Sequence, residues 1–145
     1  MSFTVRRAVL GDAASLRALN REFNDQDTAI EWIENHMGKR STPEHVFVAV
    51  EKKAVIGFCC VNITSSFCRS TPKAEVTEIY VVPEHRRKRV AQRLLIAAVQ
   101  LADKLAVTEF VVLTNKQNEA GRHLYESLGF VEGCDMLYRR IPAAP

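Results

Sequence analysis

The sequence predicts an α/β fold in which a mixed sheet carries helices on its faces. Apolar runs of strand length alternate along the chain with stretches whose apolar residues recur at helical spacing. The 145 residues suffice for one compact domain with a real core, and no stretch has the composition of an interdomain linker. We therefore expect residues 1–145 to form a single domain.

The N-terminal part predicts one strand and two helices. Phe3 to Arg7 has the pattern of a short strand, and Asp12 is placed to cap a helix. The apolar face of that helix would consist of Leu16, Leu19 and Phe23. Thr28 and Glu31 have the spacing of a capping box for a second helix, which Gly38 would end.

The central part predicts a hairpin, two further strands and a long helix. Val46 to Val50 and Val55 to Ile63 flank a short charged turn, as in a β-hairpin. Ala74 to Val82 reads as a strand closed by Pro83, and Phe110 to Leu113 as a buried strand. Between them, helical spacing relates Val90, Leu94, Ala98, Leu101 and Leu105.

The C-terminal part predicts a final helix and closing strands. Asn118 is placed to cap the helix, and Gly129 stands where a helix often ends in a left-handed residue. Val131 and the stretch from Met136 to Ile141 have the composition of strands. The full predicted order is βααβββαβαββ.

Composition excludes several classes of protein. No apolar run approaches the roughly 20 residues that a membrane-spanning helix needs, and the N-terminus lacks the apolar region of a signal peptide. We therefore expect a cytoplasmic protein. The four cysteines have no zinc-like spacing and are expected to be free thiols. Much of the net charge of +3 lies in one basic run.

That run is the strongest sequence signal for a ligand site. Four cations, Arg86, Arg87, Lys88 and Arg89, stand between a strand and a helix. The start of a helix presents free backbone N–H groups and the positive end of the helix dipole, which suits a polyphosphate. Glu78 lies just upstream as a candidate base. A solvated loop and a nucleic-acid contact are the alternatives, although the run lacks interleaved aromatic residues.

Two segments resemble the GCN5-related N-acetyltransferase (GNAT) superfamily. In the stretch from Val82 to Ala91, Arg86 and Ala91 fit the family's Arg/Gln-x-x-Gly-x-Gly/Ala signature. The stretch from Asn118 to Phe130 is similar to the family's Asn, Leu-Tyr and Gly-Phe pattern, with every interval matching. The resemblance covers nearly the whole chain. It implies a mixed, mostly antiparallel twisted sheet of six to seven strands, flanked by about four helices.

The resemblance implies acetyl-CoA as cosubstrate and no metal. In the family, a strand backbone pairs with the pantetheine arm, which would bring Ile79, Tyr80 and Val81 along the cofactor. Asn118 would cap its helix and touch the same arm. The pyrophosphate loop would consist of Arg86, Arg87, Lys88, Arg89, Val90, Ala91 and Gln92.

The resemblance also suggests two catalytic groups. Tyr125 would be the general acid that gives a proton to the departing thiolate, since a phenol is neutral at pH 7 and can donate. Glu78 would accept the proton of the attacking amine, directly or through water, or would only anchor the substrate. Glu75 lies three residues earlier, and this odd offset predicts that it faces the other side of the sheet. No cysteine has the context of a nucleophile, so direct transfer is expected.

Arg89 departs from the family pattern. Glycine is usual there because it lets the backbone approach the pyrophosphate closely. Two interpretations follow for the arginine: its side chain turns outward and contacts a coenzyme A phosphate, which we favour, or it crowds the site.

The acceptor is predicted only by class. The first two helices carry five acidic side chains, which would attract a cationic amine of the polyamine or aminoglycoside type: Glu22, Asp25, Asp27, Glu31 and Glu34. Trp32 and Phe67 are candidates to flank it. The alternatives are acetylation of a protein lysine or N-terminus, and a non-catalytic domain that binds acyl-CoA. No nucleic-acid or membrane partner is expected, and a C-terminal strand is compatible with a homodimer.

Overall fold

The computed structural model describes residues 2–38, 42–133 and 136–142. Two compact units divide the chain, Met1–Leu113 and Thr114–Pro145. The first unit contains β1 (Thr4–Arg7), α1 (Ala13–Asn24), α2 (Ile30–Gly38), β2 (Glu44–Glu51), β3 (Ala54–Thr64), β4 (Lys73–Val81), α3 (Val90–Lys104) and β5 (Glu109–Val112). The second unit contains α4 (Glu119–Ser127).

The sheet follows chain order, β1-β2-β3-β4-β5. Neighbouring strands from β1 to β4 are antiparallel, and β5 is parallel to β4. The predicted mixed, mostly antiparallel sheet is therefore confirmed, with five strands among the described residues rather than six to seven. The closing strands predicted at Val131 and from Met136 to Ile141 do not form there. Their apolar side chains lie exposed, and a strand needs a paired neighbour to be stable.

Both faces of the sheet are covered. Every residue of β3 from Ile56 to Val61 is buried, and alternate residues of a strand point to opposite faces. One face packs against α1, through a cluster of Leu16, Leu19, Val48, Phe58 and Cys60. Helix α3 buries its own apolar stripe, which comprises Val90, Leu94, Leu95, Ala98 and Ala102. Because α3 packs against β1 to β4, it covers the second face.

A β-bulge in β4 changes which side chains share a face. Glu78 is opposite Cys60 and Val76 is opposite Val61, so Thr77 is the extra residue. The Thr77 hydroxyl donates to the carbonyl of Cys60 at 3.4 Å. Beyond the bulge, Glu75 is opposite Asn62, which shares a face with Cys60. The prediction that Glu75 and Glu78 lie on opposite faces is therefore wrong, because the extra residue restores their alignment.

The N-caps predicted for α1 and α2 do not form as expected. The Asp12 carboxylate accepts from two guanidinium nitrogens of Arg6, at 2.7 and 3.0 Å, and from the Val9 N–H at 2.8 Å, and it does not cap α1. The Thr28 hydroxyl accepts from the Asn20 amide, and α2 begins only at Ile30. Both side chains are hydrogen-bonded to residues outside the helix that each was predicted to cap.

Replacing Asp12 with alanine should lower the free energy of unfolding by about 1–3 kcal/mol, because the change leaves Arg6 and the Val9 N–H without their acceptor. The hydrogen bond from Arg6 lowers the pKa of Asp12. The stabilisation is therefore present at neutral pH and disappears as the pH falls through the folded-state pKa. Urea unfolding at several pH values measures both effects. Asp27→Ala removes an exposed ion pair with Arg17 and should change little; equal losses from both variants would contradict this assignment.

Three cysteines are free thiols, as predicted, and they differ in exposure. Cys59 and Cys60 are buried, and Cys68 is exposed. Burial raises the pKa of the Cys59 thiol to about 12 and also raises that of Cys60. Cys134 lies outside the described residues. Within the described ranges, no helix has the length and apolar character needed to cross a membrane.

Candidate active site

Strand β4 has an open edge along its second half. Strand β5 pairs only with Lys73 to Val76, so the rest of β4 is paired on one side, with β3. The Val82 N–H bonds to the Ile56 carbonyl at 2.9 Å. Because hydrogen-bonded pairs alternate in an antiparallel ladder, the backbone groups of Ile79 and Val81 face the open edge. Those of Tyr80 face β3, so Ile79 and the Val81 N–H offer backbone partners, while the Val81 carbonyl already accepts from a side chain.

The basic run forms the connection between β4 and α3. A 3₁₀ turn over Pro83–His85 leads into it, and Arg87 and Arg89 have left-handed backbones, with φ of 62° and 65°. The side chains of Arg87, Lys88 and Arg89 are exposed. No side chain caps the start of α3, and the first N–H groups of a helix have no intrahelical acceptor. The N-terminal turn, Val90 to Gln92, therefore presents donors suited to an anion.

Arg86 differs from the other three cations. Its Nε donates to the Val81 carbonyl at 3.0 Å, and its guanidinium lies 5.6 Å from the centroid of the Tyr80 ring. The Tyr80 ring in turn stacks on Phe23 at 5.0 Å, and its hydroxyl donates to Glu22 at 3.0 Å. The Arg86 side chain therefore secures the loop to β4, while its three successors remain directed to solvent.

Glu78 lies in the wall of a cavity on the face covered by α1 and α2. The cavity has a volume of about 340 Å³. Its lining comprises Leu16, Asn20, Thr28, Trp32, Ile33, His36, Met37, Glu44, Val46, Phe58, Cys60 and Glu78. Burial raises the pKa of Glu78, contact with Asn24 opposes this shift, and the charge of Glu44 adds to it. A carboxylate with a raised pKa is a better proton acceptor near neutral pH.

The acidic groups of the cavity are not those expected from the helices. None of the five predicted acidic residues lines it; Glu22 accepts from Tyr80, and Asp27 pairs with Arg17. Trp32 does line the cavity, whereas Phe67 is fully exposed and does not.

Sequence reasoning missed Glu44 and His36. These two cavity residues are in direct polar contact, with His36 Nε2 3.1 Å from Glu44 Oε1. Strand β2 begins two residues before the predicted start at Val46. Extending the alternation from Val46 and Val48 back to Glu44 would have placed its carboxylate on the same face.

The second unit carries the remaining predicted site residues. The Asn118 side-chain Oδ1 accepts from the Gly121 N–H at 3.1 Å, so the predicted cap of α4 is confirmed. Tyr125 is the buried residue of α4, and its ring makes an edge contact with Phe130 at 6.0 Å. Gly129 has φ of 92°, the left-handed conformation predicted for the helix end.

Comparison with known proteins shows the family to which the chain is similar. The family model described as Acetyltransferase (GNAT) family matches residues 13–130. The chain is 26% identical over 97 residues to aminoglycoside N(6')-acetyltransferase type 1 of Salmonella typhimurium strain LT2, covering 65% of this chain and 67% of the relative. It is 30% identical over 88 residues to spermidine N(1)-acetyltransferase of Thermoplasma acidophilum, covering 60% of this chain and 51% of the relative.

A solved structure supports the fold. AAC(6')-Iy in complex with the bisubstrate analogue CoA-S-monomethyl-acetylneamine superposes with a TM-score of 0.82. The match covers 99% of this chain and 100% of the other, at 20% identity.

Proposed function

Because the chain belongs to the acetyltransferase (GNAT) family, we propose that it moves an acetyl group from acetyl-CoA directly to a primary amine. The observation that carries the proposal is the continuity of three features along β4 and α3. The open edge of β4, the uncapped start of α3 and the carboxylate of Glu78 in a cavity wall follow one another within a short stretch of chain.

The residues present fit coenzyme A. The backbone groups of Ile79 and Val81 suit the amides of a pantetheine arm, which would lie along β4 as an added strand. The N–H groups at the start of α3 and the exposed cations from Arg87 to Arg89 suit its phosphates. Acetyl-CoA supplies a thioester whose carbonyl carbon is open to attack by an amine.

Glu78 and Tyr125 would handle the protons. A protonated amine has no lone pair, so Glu78 accepts one ammonium proton, directly or through water. The C–N bond then forms as the C–S bond breaks. Tyr125 gives its phenol proton to the sulfur. The nitrogen also loses a second proton, which replaces the proton that Tyr125 has given up. In this scheme Asn118 orders the start of α4, about two helical turns before Tyr125 in the chain.

The acceptor we propose is a small cationic amine. A cavity of about 340 Å³ is at the lower end of the range of roughly 300–1,000 Å³ for small-molecule sites. Two carboxylates, Glu44 and Glu78, in its wall favour a cation over a neutral or anionic acceptor. The similarity to an aminoglycoside N(6')-acetyltransferase and to a spermidine N(1)-acetyltransferase supports the same class.

The proposal is tested by incubating the protein with acetyl-CoA and a panel of amines and measuring the release of free coenzyme A. The panel comprises polyamines, aminoglycosides and lysine peptides. Release with small amines supports the proposal, and release with lysine peptides alone would favour a protein acceptor. Acetyl-CoA binding without release on any amine would identify a non-catalytic acyl-CoA-binding domain.

Replacing Arg89 with glycine should weaken acetyl-CoA binding about fivefold, because it removes one exposed cation from the phosphate loop. The left-handed backbone at this position suits glycine, so the fold should tolerate the change. Titration calorimetry with acetyl-CoA measures the effect. Lys53→Gly is the matched control, since it removes a cation from a left-handed position in the β2–β3 turn. Tighter binding by the Arg89 variant would mean instead that the arginine obstructs the site.

A further inference from the structure

The cavity beside Glu78 combines an apolar lining with two carboxylates. Six apolar or weakly polar side chains belong to its wall: Leu16, Ile33, Met37, Val46, Phe58 and Cys60. Glu78 contributes one carboxylate from β4, and Glu44 contributes the other from the start of β2. This arrangement is complementary to a hydrocarbon chain with a cation at each end.

The sheet register determines the distance between the backbone positions of Glu44 and Glu78. Glu44 is opposite Asn62 of β3, and Glu78 is opposite Cys60 of the same strand. The two glutamates are therefore on one face, two strand spacings apart across the sheet and two residues apart along it. That separates their backbones by roughly 10 Å across and 7 Å along the strands. The two carboxylates therefore extend into the cavity from separate backbone positions on one face, where an extended chain with two amino groups can contact each with a different cation.

Glu44 has capacity for a ligand cation. Its Oε1 lies 3.1 Å from His36 Nε2, and among the described residues none forms a hydrogen bond or ion pair with its Oε2. The side chain of Glu44 retains about a quarter of its exposure, so a ligand in the cavity can reach it. The negative charge of Glu44 also acts on the Glu78 carboxyl, whose pKa it raises. Two like charges along one partly dry cavity are unfavourable, and a ligand with two cations would neutralise both.

The remaining polar groups of the cavity favour a simple aliphatic ligand over a polyhydroxylated one. Asn20 and Thr28 are hydrogen-bonded to each other, and His36 is paired with Glu44. The apolar walls offer no partners for sugar hydroxyls, and burying an unpaired hydroxyl is costly. A chain of methylene groups has no hydrogen-bonding group that the same walls would leave unpaired. Trp32 adds an indole face at the cavity wall, which also attracts ammonium groups.

We propose that Glu44 determines acceptor specificity by binding the distal ammonium of an aliphatic diamine whose near amino group lies at Glu78. His36 is a positioning residue that orients the Glu44 carboxylate. The inference rests on the proposed acetyl transfer, because it assigns the amine at Glu78 as the one that is acetylated. It predicts that a diamine is preferred over the monoamine of equal chain length.

Two readouts test the inference, one of which is independent of catalysis. Trp32 is the only tryptophan of the chain and lines the cavity, so its fluorescence reports occupancy directly. Putrescine and n-butylamine are the probes, since they differ by one terminal ammonium. Both are titrated, and both are assayed for kcat/KM with acetyl-CoA, on the wild type and on two variants. The variants are Glu44→Gln and the control Glu31→Gln, which removes the same charge from an exposed position of α2 outside the cavity.

The expected result is a preference of about tenfold for putrescine in both readouts, equivalent to one partly buried charge contact. Glu44→Gln should abolish that preference, because putrescine binding and kcat/KM fall about tenfold more than those of n-butylamine, and Glu31→Gln should retain it. Equal losses for both amines, or a retained preference in Glu44→Gln, would overturn the role of Glu44. Tight, Glu44-dependent putrescine binding without coenzyme A release would instead overturn the proposed function and keep the diamine site. Stronger binding and turnover of an aminoglycoside than of putrescine would overturn the choice of ligand class.

Discussion

Replacing Glu78 with glutamine should lower turnover at neutral pH by about 10²–10⁴-fold, the usual contribution of a general base. The substitution keeps the size and polarity of the side chain but removes its ability to accept a proton. The loss should be greatest just above the pKa of Glu78, where the wild-type carboxylate is ionised but few amine molecules are unprotonated, and should shrink as the pH approaches the pKa of the amine. Steady-state rates across a range of pH, at saturating acetyl-CoA, measure the ratio of variant to wild type.

The raised pKa of Glu78 adds a second expectation. The wild-type rate should fall with decreasing pH through a pKa above the ordinary glutamate value, because burial disfavours the carboxylate. By the same linkage, the folded protein holds the Glu78 proton more tightly than the unfolded chain does. The carboxylate therefore destabilises the fold above that pKa, and Glu78→Gln should raise Tm at pH 8.

Glu75→Gln is the matched control for Glu78. Its side chain belongs to the same strand and, because of the bulge at Thr77, the same face, but it does not line the cavity. It should leave the rate and its pH dependence unchanged. A ratio for Glu78→Gln that stays constant across pH would remove this residue as the base and leave it at most an anchoring role.

Replacing Tyr125 with phenylalanine should lower turnover on the order of 10²-fold, with little change in acetyl-CoA affinity. The variant keeps the ring and its edge contact with Phe130, so the buried packing of α4 should persist. The proton donor for the departing sulfur is lost. Turnover is measured with a saturating amine, and acetyl-CoA affinity by calorimetry.

Tyr138→Phe controls for the loss of a phenol as such. Tyr138 follows α4 in the second unit and is largely exposed, so its substitution should leave both quantities unchanged. Unaltered turnover in Tyr125→Phe would show that this tyrosine is not the acid. A parallel loss of acetyl-CoA affinity would indicate a structural role instead.

Local patterns in the sequence were sufficient for most of the elements. The period of apolar residues located α3, and the charged turn at Lys52 and Lys53 located the β2–β3 hairpin. The Asn118 cap and the left-handed Gly129 were also predictable, because each depends on interactions within a few residues.

Features that depend on distant partners were not predictable in the same way. Asp12 is of a residue type that often caps a helix, but its carboxylate instead accepts hydrogen bonds from Arg6 of β1. The bulge at Thr77 places Glu75 on the face opposite to the one predicted, and no local pattern of β4 indicates an extra residue. Glu44 and Glu78 are 34 positions apart in the sequence (78 minus 44), and only the strand register brings them to one cavity.

The central claim is that this chain acetylates a small amine at the cavity of Glu78. Mass spectrometry of putrescine after incubation with acetyl-CoA and the wild-type protein tests it most directly, with Glu78→Gln and Glu75→Gln run in parallel. We predict monoacetylated putrescine with an equal amount of free coenzyme A for the wild type and Glu75→Gln, and a trace for Glu78→Gln. Bound acetyl-CoA that leaves putrescine and every other amine of the panel unmodified would contradict the claim.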